Sequence, residues 1–476
     1  MNKNRELAKN TVIFGIGTFG AKFMQFILIP LYTLHMTTSD YSTSDIVMST
    51  VTMLLPFLTL GMGHGILRFV IGKKRNERPL IVFSLIVCLI STGILFIAIP
   101  LLRMTAVFGG YEYMIPVLFL VGSLKTVLSN YCKAIDKNMA YAINGIISAF
   151  NTAFFSILLI RILHIGVRGY LWAYLISYAI SDLHFILVCH VPDTIIRSEN
   201  RYGSTIIKET LRYSVPLMPN DLAWWIIQMS DRYMVTWICG AAINGIYTMA
   251  YKIPGIFNIL VSIFIQAFSI TVFKECDLNT TTGKYNGRYF QKVYENYLAI
   301  SFGVVVVVML ATKPVAAAFI RNDFFDSWYY TPFLLIAFMI GNLEAFLGSI
   351  LGGIKKTNIS FVSTALAAMI NVTLNALLIP KYKVYGAIIA TDLAYFCVYF
   401  IRFLGVSRYV EMDMHNLKSV FSILIILFMA LSYVNNEPTI RFFSIFFGLC
   451  IICLYGREYL NMMKTVISKT KSIEKG

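Results

Sequence analysis

Several ionisable side chains fall within stretches of this sequence that are otherwise apolar: Lys22, Arg68, Lys125, Asp182, Asp221, Asp231, Arg232, Lys252, Glu344 and Asp392. At the centre of a membrane-spanning helix such a group costs at least about 2.5–3.5 kcal/mol, so it persists where it faces a polar cavity or a partner charge. The two signs suggest two kinds of chemistry. Lys22, Arg68, Lys125, Arg232 and Lys252 would together attract a multivalent anion, and a diphosphate fits because Lys and Arg neutralise phosphate by direct contact. Asp182, Asp231, Glu344 and Asp392 could titrate or bind sodium and so couple movement of a cargo to an ion gradient.

One segment concentrates the signal. Asp221, Trp225, Gln228 and Arg232 stand at i, i+4, i+7 and i+11, one face of a helix, with Trp224 and Asp231 flanking it. A polar stripe bounded by two tryptophans should face a solvated interior. Pro216 and Pro219 precede it and should bend its entry. Lys252 and Pro254 fall at a depth similar to that of Asp231 and Arg232. Two readings stand: an Asp231–Lys252 ion pair that holds a bundle together, or a group that binds cargo and protons. Arg68, near the end of its span, can also reach the interface as a snorkelling side chain.

No enzyme signature accompanies these residues, and the chain is not expected to be an enzyme or to hold a cofactor or metal. There is no P-loop motif and no HExxH. Gly61-Met62-Gly63-His64-Gly65 sits inside an apolar span, where small residues serve bending or close packing. The eight cysteines include no pair of CxxC motifs, and Cys450 and Cys453 lie one helical turn apart in an apolar run. The sequon at Asn371 lies within a span.

Positioning these groups requires a bundle of membrane helices. Hydrophobic residues make up 58% of the 476-residue chain and charged ones only 13%, against roughly 45–50% and about 25% in soluble domains. Apolar stretches near the ~20 residues that cross a bilayer predict an all-α membrane protein of about fourteen spans. They lie near 11–34, 41–71, 79–102, 113–132, 139–162, 169–190, 212–238, 242–273, 293–311, 330–352, 358–380, 384–404, 418–434 and 440–460. The N-terminal segment is expected to be a retained first helix, with no small-residue cleavage site after it. The net charge of +16 does not indicate nucleic-acid binding, because the cations cluster in short loops between spans. Alternate loops differ: 72–78, 133–137, 197–208 and 274–292 are rich in Lys and Arg, as are the basic termini. The intervening loops carry few. That asymmetry places both termini in the cytoplasm.

A weak internal repeat adds organisation. Residues 167–178 (VRGYLWAYLISY) and 384–395 (VYGAIIATDLAY) share Val, Gly, Ala and Tyr at a constant offset, and Pro56 and Pro254 fall mid-span at a similar one. The expected layout is two six-helix lobes as parallel pseudo-repeats around a central cavity. They would cover 1–190 and 212–404, joined by a polar connector at 191–211, with two further helices and a basic tail at 405–476.

The first span reads Gly20-Ala21-Lys22, Phe26 and Pro30-Leu31-Tyr32-Thr33. The centre reads Tyr213-Ser214-Val215-Pro216-Leu217-Met218-Pro219-Asn220, Trp224-Trp225, Ser230-Asp231-Arg232-Tyr233, Asn244-Gly245-Ile246-Tyr247 and Tyr251-Lys252-Ile253-Pro254. Together these strings resemble the Wzx-type O-antigen and polysaccharide flippases of the multidrug/oligosaccharidyl-lipid/polysaccharide exporter superfamily. Asp40-Tyr41-Ser42 departs from the family's Glu-Tyr-Gly in a loop, and fourteen spans exceed the twelve common in that branch.

The resemblance implies a bacterial inner-membrane protein with a two-lobed bundle that opens alternately to each side. Its cargo would be an undecaprenyl-diphosphate-linked repeat unit of O-antigen or capsule, moved to the outer leaflet. Partners would be that lipid-linked oligosaccharide and membrane lipids, with a polysaccharide polymerase and a chain-length regulator nearby. Two other functions compete. A multidrug exporter of the same superfamily should have an apolar cavity with a few acids, whereas this sequence is rich in buried cations. A membrane polymerase or ligase should carry a large outer loop, and the longest outer loop expected here is only 312–329.

Overall fold

The computed structural model describes residues 24–71, 77–197, 203–258, 287–411, 417–435 and 437–460, with the single positions 261, 265, 268 and 272. Among the described residues the regular structure is helical, with no strand. The all-α expectation is met.

The helices are α1 (Ile29–His35), α2 (Thr38–Leu58), α3 (Met62–Val70), α4 (Arg78–Ile97), α5 (Ile99–Met104), α6 (Met114–Ala134), α7 (Asn138–Ser156), α8 (Gly166–Val188) and α9 (Val191–Arg197). They continue as α10 (Gly203–Ser214), α11 (Met218–Cys239), α12 (Ala241–Ala250), α13 (Gly287–Phe319), α14 (Thr331–Gly353), α15 (Thr357–Tyr382), α16 (Val384–Ser407), α17 (Leu417–Val434) and α18 (Pro438–Leu454).

Local chemistry sets many of these ends. Thr37 caps α2 by accepting from the Asp40 amide at 3.1 Å, while Asp40 accepts from the Thr37 amide at 3.2 Å, a reciprocal capping box. Proline occupies the first turn of α4, α11, α14 and α18, where its missing amide costs nothing. Pro216 and Pro219 do break the approach to α11, as expected: a 3-10 turn, Val215–Leu217, separates α10 from α11.

Eight helices among the described residues are long and apolar enough to cross a membrane: α4, α6, α7 with its continuation to Ile162, α8, α13, α14, α15 and α16. A ninth is counted if α2 and α3, bent by 52° at their junction, form one broken span. Shorter apolar helices cover Met24–His35, Lys418–Val434 and Thr439–Leu454. Residues 1–23 and most of 259–286, which complete two expected spans, lie outside the described residues. Helix α11 has the length of a span but concentrates Asp221, Gln228, Asp231 and Arg232, which lowers its apolarity. The expected polar connector at 191–211 carries α9 and the start of α10.

The chain divides into two compact units. The first comprises Met1–Thr248 with Phe319–Phe324, the second Met249–Ala318 with Phe325–Gly476. Helix α11, expected in the second lobe, packs in the first unit. There α6 is central, lying against α2, α3, α4 and α8, while α10 packs on α3 and α4. In the second unit α15 and α16 form one hairpin and α17 and α18 another, with α14 packed against α16 and α17. Its core joins Phe302, Val305 and Met309 of α13 to Leu343, Phe346 and Leu347 of α14.

Candidate functional site

In the first unit, helices α6, α7 and α8 enclose a polar seam within the membrane-crossing region. The Lys125 ammonium donates to Ser148 Oγ at 2.7 Å and lies 4.2 Å from the centre of the Tyr178 ring. Thr152 donates to Ser177 Oγ at 2.9 Å, and Ser177 donates to the Ser148 carbonyl at 2.8 Å. Asn144 holds Ser181 and His184. Asp182 is 5% exposed, and neither of its carboxylate oxygens has a hydrogen-bond partner among the described residues. Lys125 is half-buried and makes no ion pair among them. The seam therefore brings one cation, Lys125 of α6, and one acid, Asp182 of α8, into the same helix group.

The stripe on α11 has a different fate. Trp225 donates from Nε1 to the Ser49 carbonyl at 3.2 Å, and Tyr233 meets Thr50 at 2.7 Å between hydroxyls. Arg232 is 7% exposed and donates from Nη1 to Asp45 Oδ2 at 2.6 Å. Asp231 is fully buried; it accepts from the Tyr247 hydroxyl at 2.5 Å and from the Arg232 amide at 2.8 Å. Asn244 donates to Ser42 Oγ at 2.8 Å. Gly245 packs so closely on the Thr38 backbone that a Cβ would have no room. Much of the string that stands out in the sequence thus locks α11 and α12 onto α2. Asp45 was missed because it lies near the polar start of its span, where a charge attracts no notice.

Two members of the stripe remain accessible. Gln228 is exposed, and Asp221 is partly exposed beside His64, with 3.3 Å between Oδ2 and Nε2. Arg68 is exposed on α3. Lys252 is half-buried and belongs to the second unit, so it does not share a unit with Asp231. Lys22 lies outside the described residues.

In the second unit Glu344 meets Arg402 Nη1 at 2.5 Å, with both side chains below 10% exposure. Arg402 also donates to Ser363 Oγ and Thr364 Oγ1, each at 3.2 Å. Arg402 sits inside α16, which runs on to Ser407, beyond the expected end of that span near 404. Asp392 is half-buried, and its Oδ1 has no partner among the described residues. No cluster of His, Cys, Asp or Glu suited to a metal is found among the described residues.

This fold is one that known membrane transporters share. The chain superposes on the lipid II flippase MurJ in its inward closed conformation with a TM-score of 0.70 at 13% identity, covering 95% of this chain and all of that one. An inward-facing multidrug resistance MATE family transporter of the MOP superfamily gives 0.66 at 16% identity over 83% of this chain and 94% of the other. A MOP superfamily transporter from Pyrococcus furiosus gives 0.60 at 15% identity over 84% and 95%. At these identities the likeness establishes the fold: that of a multi-pass transporter of the MOP type. Within it the particular family is given by sequence. Residues 7–275 match the model of the polysaccharide biosynthesis protein family, and the chain belongs to that family. A stretch of 131 residues is also 29% identical to an uncharacterized membrane protein of Methanocaldococcus jannaschii, covering 25% of this chain and 26% of that relative's length.

Proposed function

We propose that the protein moves a polyprenyl-diphosphate-linked oligosaccharide, the repeat unit of an O-antigen or capsule, from the cytoplasmic to the outer leaflet of a bacterial inner membrane. Lys125 carries this reading. Its ammonium is held by a serine and a tyrosine ring and feels the Asp182 charge without hydrogen-bonding to it, which leaves N–H groups for an anionic head. Arg68 and Gln228, with Trp225, line the path of that head in the first unit, while the lipid tail stays in the bilayer. Membership of the polysaccharide biosynthesis family supports the sugar cargo. Asp182 and Asp392 are the acids that couple the cycle to an ion gradient, since Asp231 and Glu344 are engaged by Tyr247 and Arg402.

The test is complementation of a flippase-deficient strain of matching sugar chemistry. The chain should restore surface polysaccharide and clear the accumulated lipid-linked intermediate. Lys125→Ala should abolish both while leaving membrane levels near normal. A second reading, export of cationic drugs, draws on the unpartnered Asp182 carboxylate and on the fold shared with multidrug transporters. Raised drug resistance without restored polysaccharide would establish it in place of the first.

A further inference from the structure

The glycine-rich stretch Gly61–Gly65 is the break between α2 and α3. Leu60 and Gly61 both take left-handed conformations, with φ of 54° and 62°. Most backbone amides of the break are used internally: those of Gly61, Met62, His64 and Gly65 donate to Pro56, Thr59 and Gly61 carbonyls. Around it, Gly61 and Gly65 let α10 approach, with Ser214 at 3.0 and 2.7 Å from where their Cβ atoms would stand. Gly63 leaves room for Asn130 of α6 in the same way, at 2.8 Å. The three glycines fix α3 from two sides and turn the remaining face, His64 and Arg68, outward.

That face is accessible: the His64 side chain is 54% exposed and Arg68 is exposed as well. One helical turn separates them, so they form one edge. His64 lies roughly 9 Å inside the end of α3 at 1.5 Å per residue. Within a bent helix pair apolar enough to form one membrane span, lipid is a poor neighbour for polar groups, and the face is suited to water or a polar cargo. Against it stands Asp221, 30% exposed, with Oδ2 at 3.3 Å from His64 Nε2.

We infer that His64 and Arg68 form an anion-recognition edge for the diphosphate head of the cargo, and that Asp221 is its intramolecular placeholder, displaced from His64 when the head binds. This rests on the cargo reading above and deepens it, since Asp221 becomes a competitor for the cation and not a ligand of the cargo. The exchange is stoichiometric in charge: the imidazolium leaves one carboxylate oxygen and takes up one phosphate oxygen. The charged groups around His64 are Asp221 of α11, Arg68 on its own helix and Lys133 of α6. Helix α10 turns Thr210 and Ser214 to the glycine face and exposes Lys208, Glu209 and Arg212. From the start of α4, Glu77 accepts from the Tyr131 hydroxyl, and Arg78 follows it.

The experiment uses the full chain in lipid nanodiscs, with farnesyl diphosphate as probe and farnesol as control. Asp221→Asn should tighten farnesyl diphosphate binding about two- to fivefold, the reach of a partly exposed ion pair. His64→Ala should weaken it. In the combined variant the gain from Asp221→Asn should vanish. Wild-type binding should strengthen as pH falls from about 7.5 to about 6, where histidine gains its proton, and this dependence should be lost in His64→Gln. If the wild type binds the diphosphate over farnesol but Asp221→Asn and Asp221→Ser leave affinity unchanged or weaker, the placeholder role is overturned while the cargo reading stands. If the wild type does not discriminate diphosphate from alcohol, both fall.

Discussion

Arg232 shows what a buried charge is used for in this protein. On α11 it belongs to a polar face, and the face alone suggests a cavity lining. Its guanidinium instead meets Asp45 at 2.6 Å with both side chains nearly enclosed. Arg402 meets Glu344 in the same way at 2.5 Å. Removing one partner of such a pair strands the other charge, at a cost of about 3–5 kcal/mol. Arg232→Ala and Arg402→Ala should therefore both lower the thermal unfolding temperature of the purified protein and its level in the membrane. The paired replacements Asp45→Leu with Arg232→Met, and Glu344→Leu with Arg402→Met, should recover most of that loss. Thermal denaturation of the four variants in one detergent reads the outcome. A transport defect at normal thermal stability in Arg232→Ala would restore the cargo role for that residue.

Among the elements, the two hairpins that carry the internal repeat show why a short motif can recur at a long offset. Gly169 opens α8 and Gly386 opens α16, and each lies where the preceding helix turns back. The Cβ missing from Gly169 would stand 3.1 Å from the Leu159 carbonyl carbon and oxygen. At Gly386 it would meet the backbone of Leu378 and Ile379, with no room at all. Backbone cannot withdraw as a flexible side chain can, so a methyl group here forces the helices apart. Overpacking of this kind costs about 1–3 kcal/mol. Gly386→Ala should destabilise the second unit more than Gly169→Ala destabilises the first, as limited proteolysis of the two variants would measure. The glycine shared by the two stretches is thus legible in sequence because backbone contact leaves one residue type at that position. The surrounding apolar positions tolerate many, and the repeat is correspondingly faint between those points.

Across the whole molecule, the charge asymmetry of the loops makes a prediction that labelling can check. In a cysteine-free background, a cysteine at Lys73 or Lys137 should react with an impermeant maleimide only after the cells are permeabilised. One at Arg103 or Arg168 should react in intact cells. Reversed accessibility would invert the direction assigned to transport. Arg402, buried in α16, takes no part in that loop asymmetry.

Hydrophobic composition and the spacing of apolar runs were enough to define a helical membrane protein, and the strings around α11 and α12 were enough to show its resemblance to the polysaccharide flippases. Both signals are local: a span must be apolar along its length, and a motif is read along the chain. What the sequence could not decide was the partner of each buried charge. Asp45 and Arg232 stand 187 positions apart, as do Ile46 and Tyr233, and nothing along the chain joins them. The tertiary packing of α11 on α2 turned half of the polar stripe, Trp225 and Arg232, into a lock. It left Lys125 without a hydrogen-bonded carboxylate and His64 facing Asp221. The physical reason is that an ion in a low-dielectric interior is governed by the nearest opposite charge in space, which only the folded chain brings near.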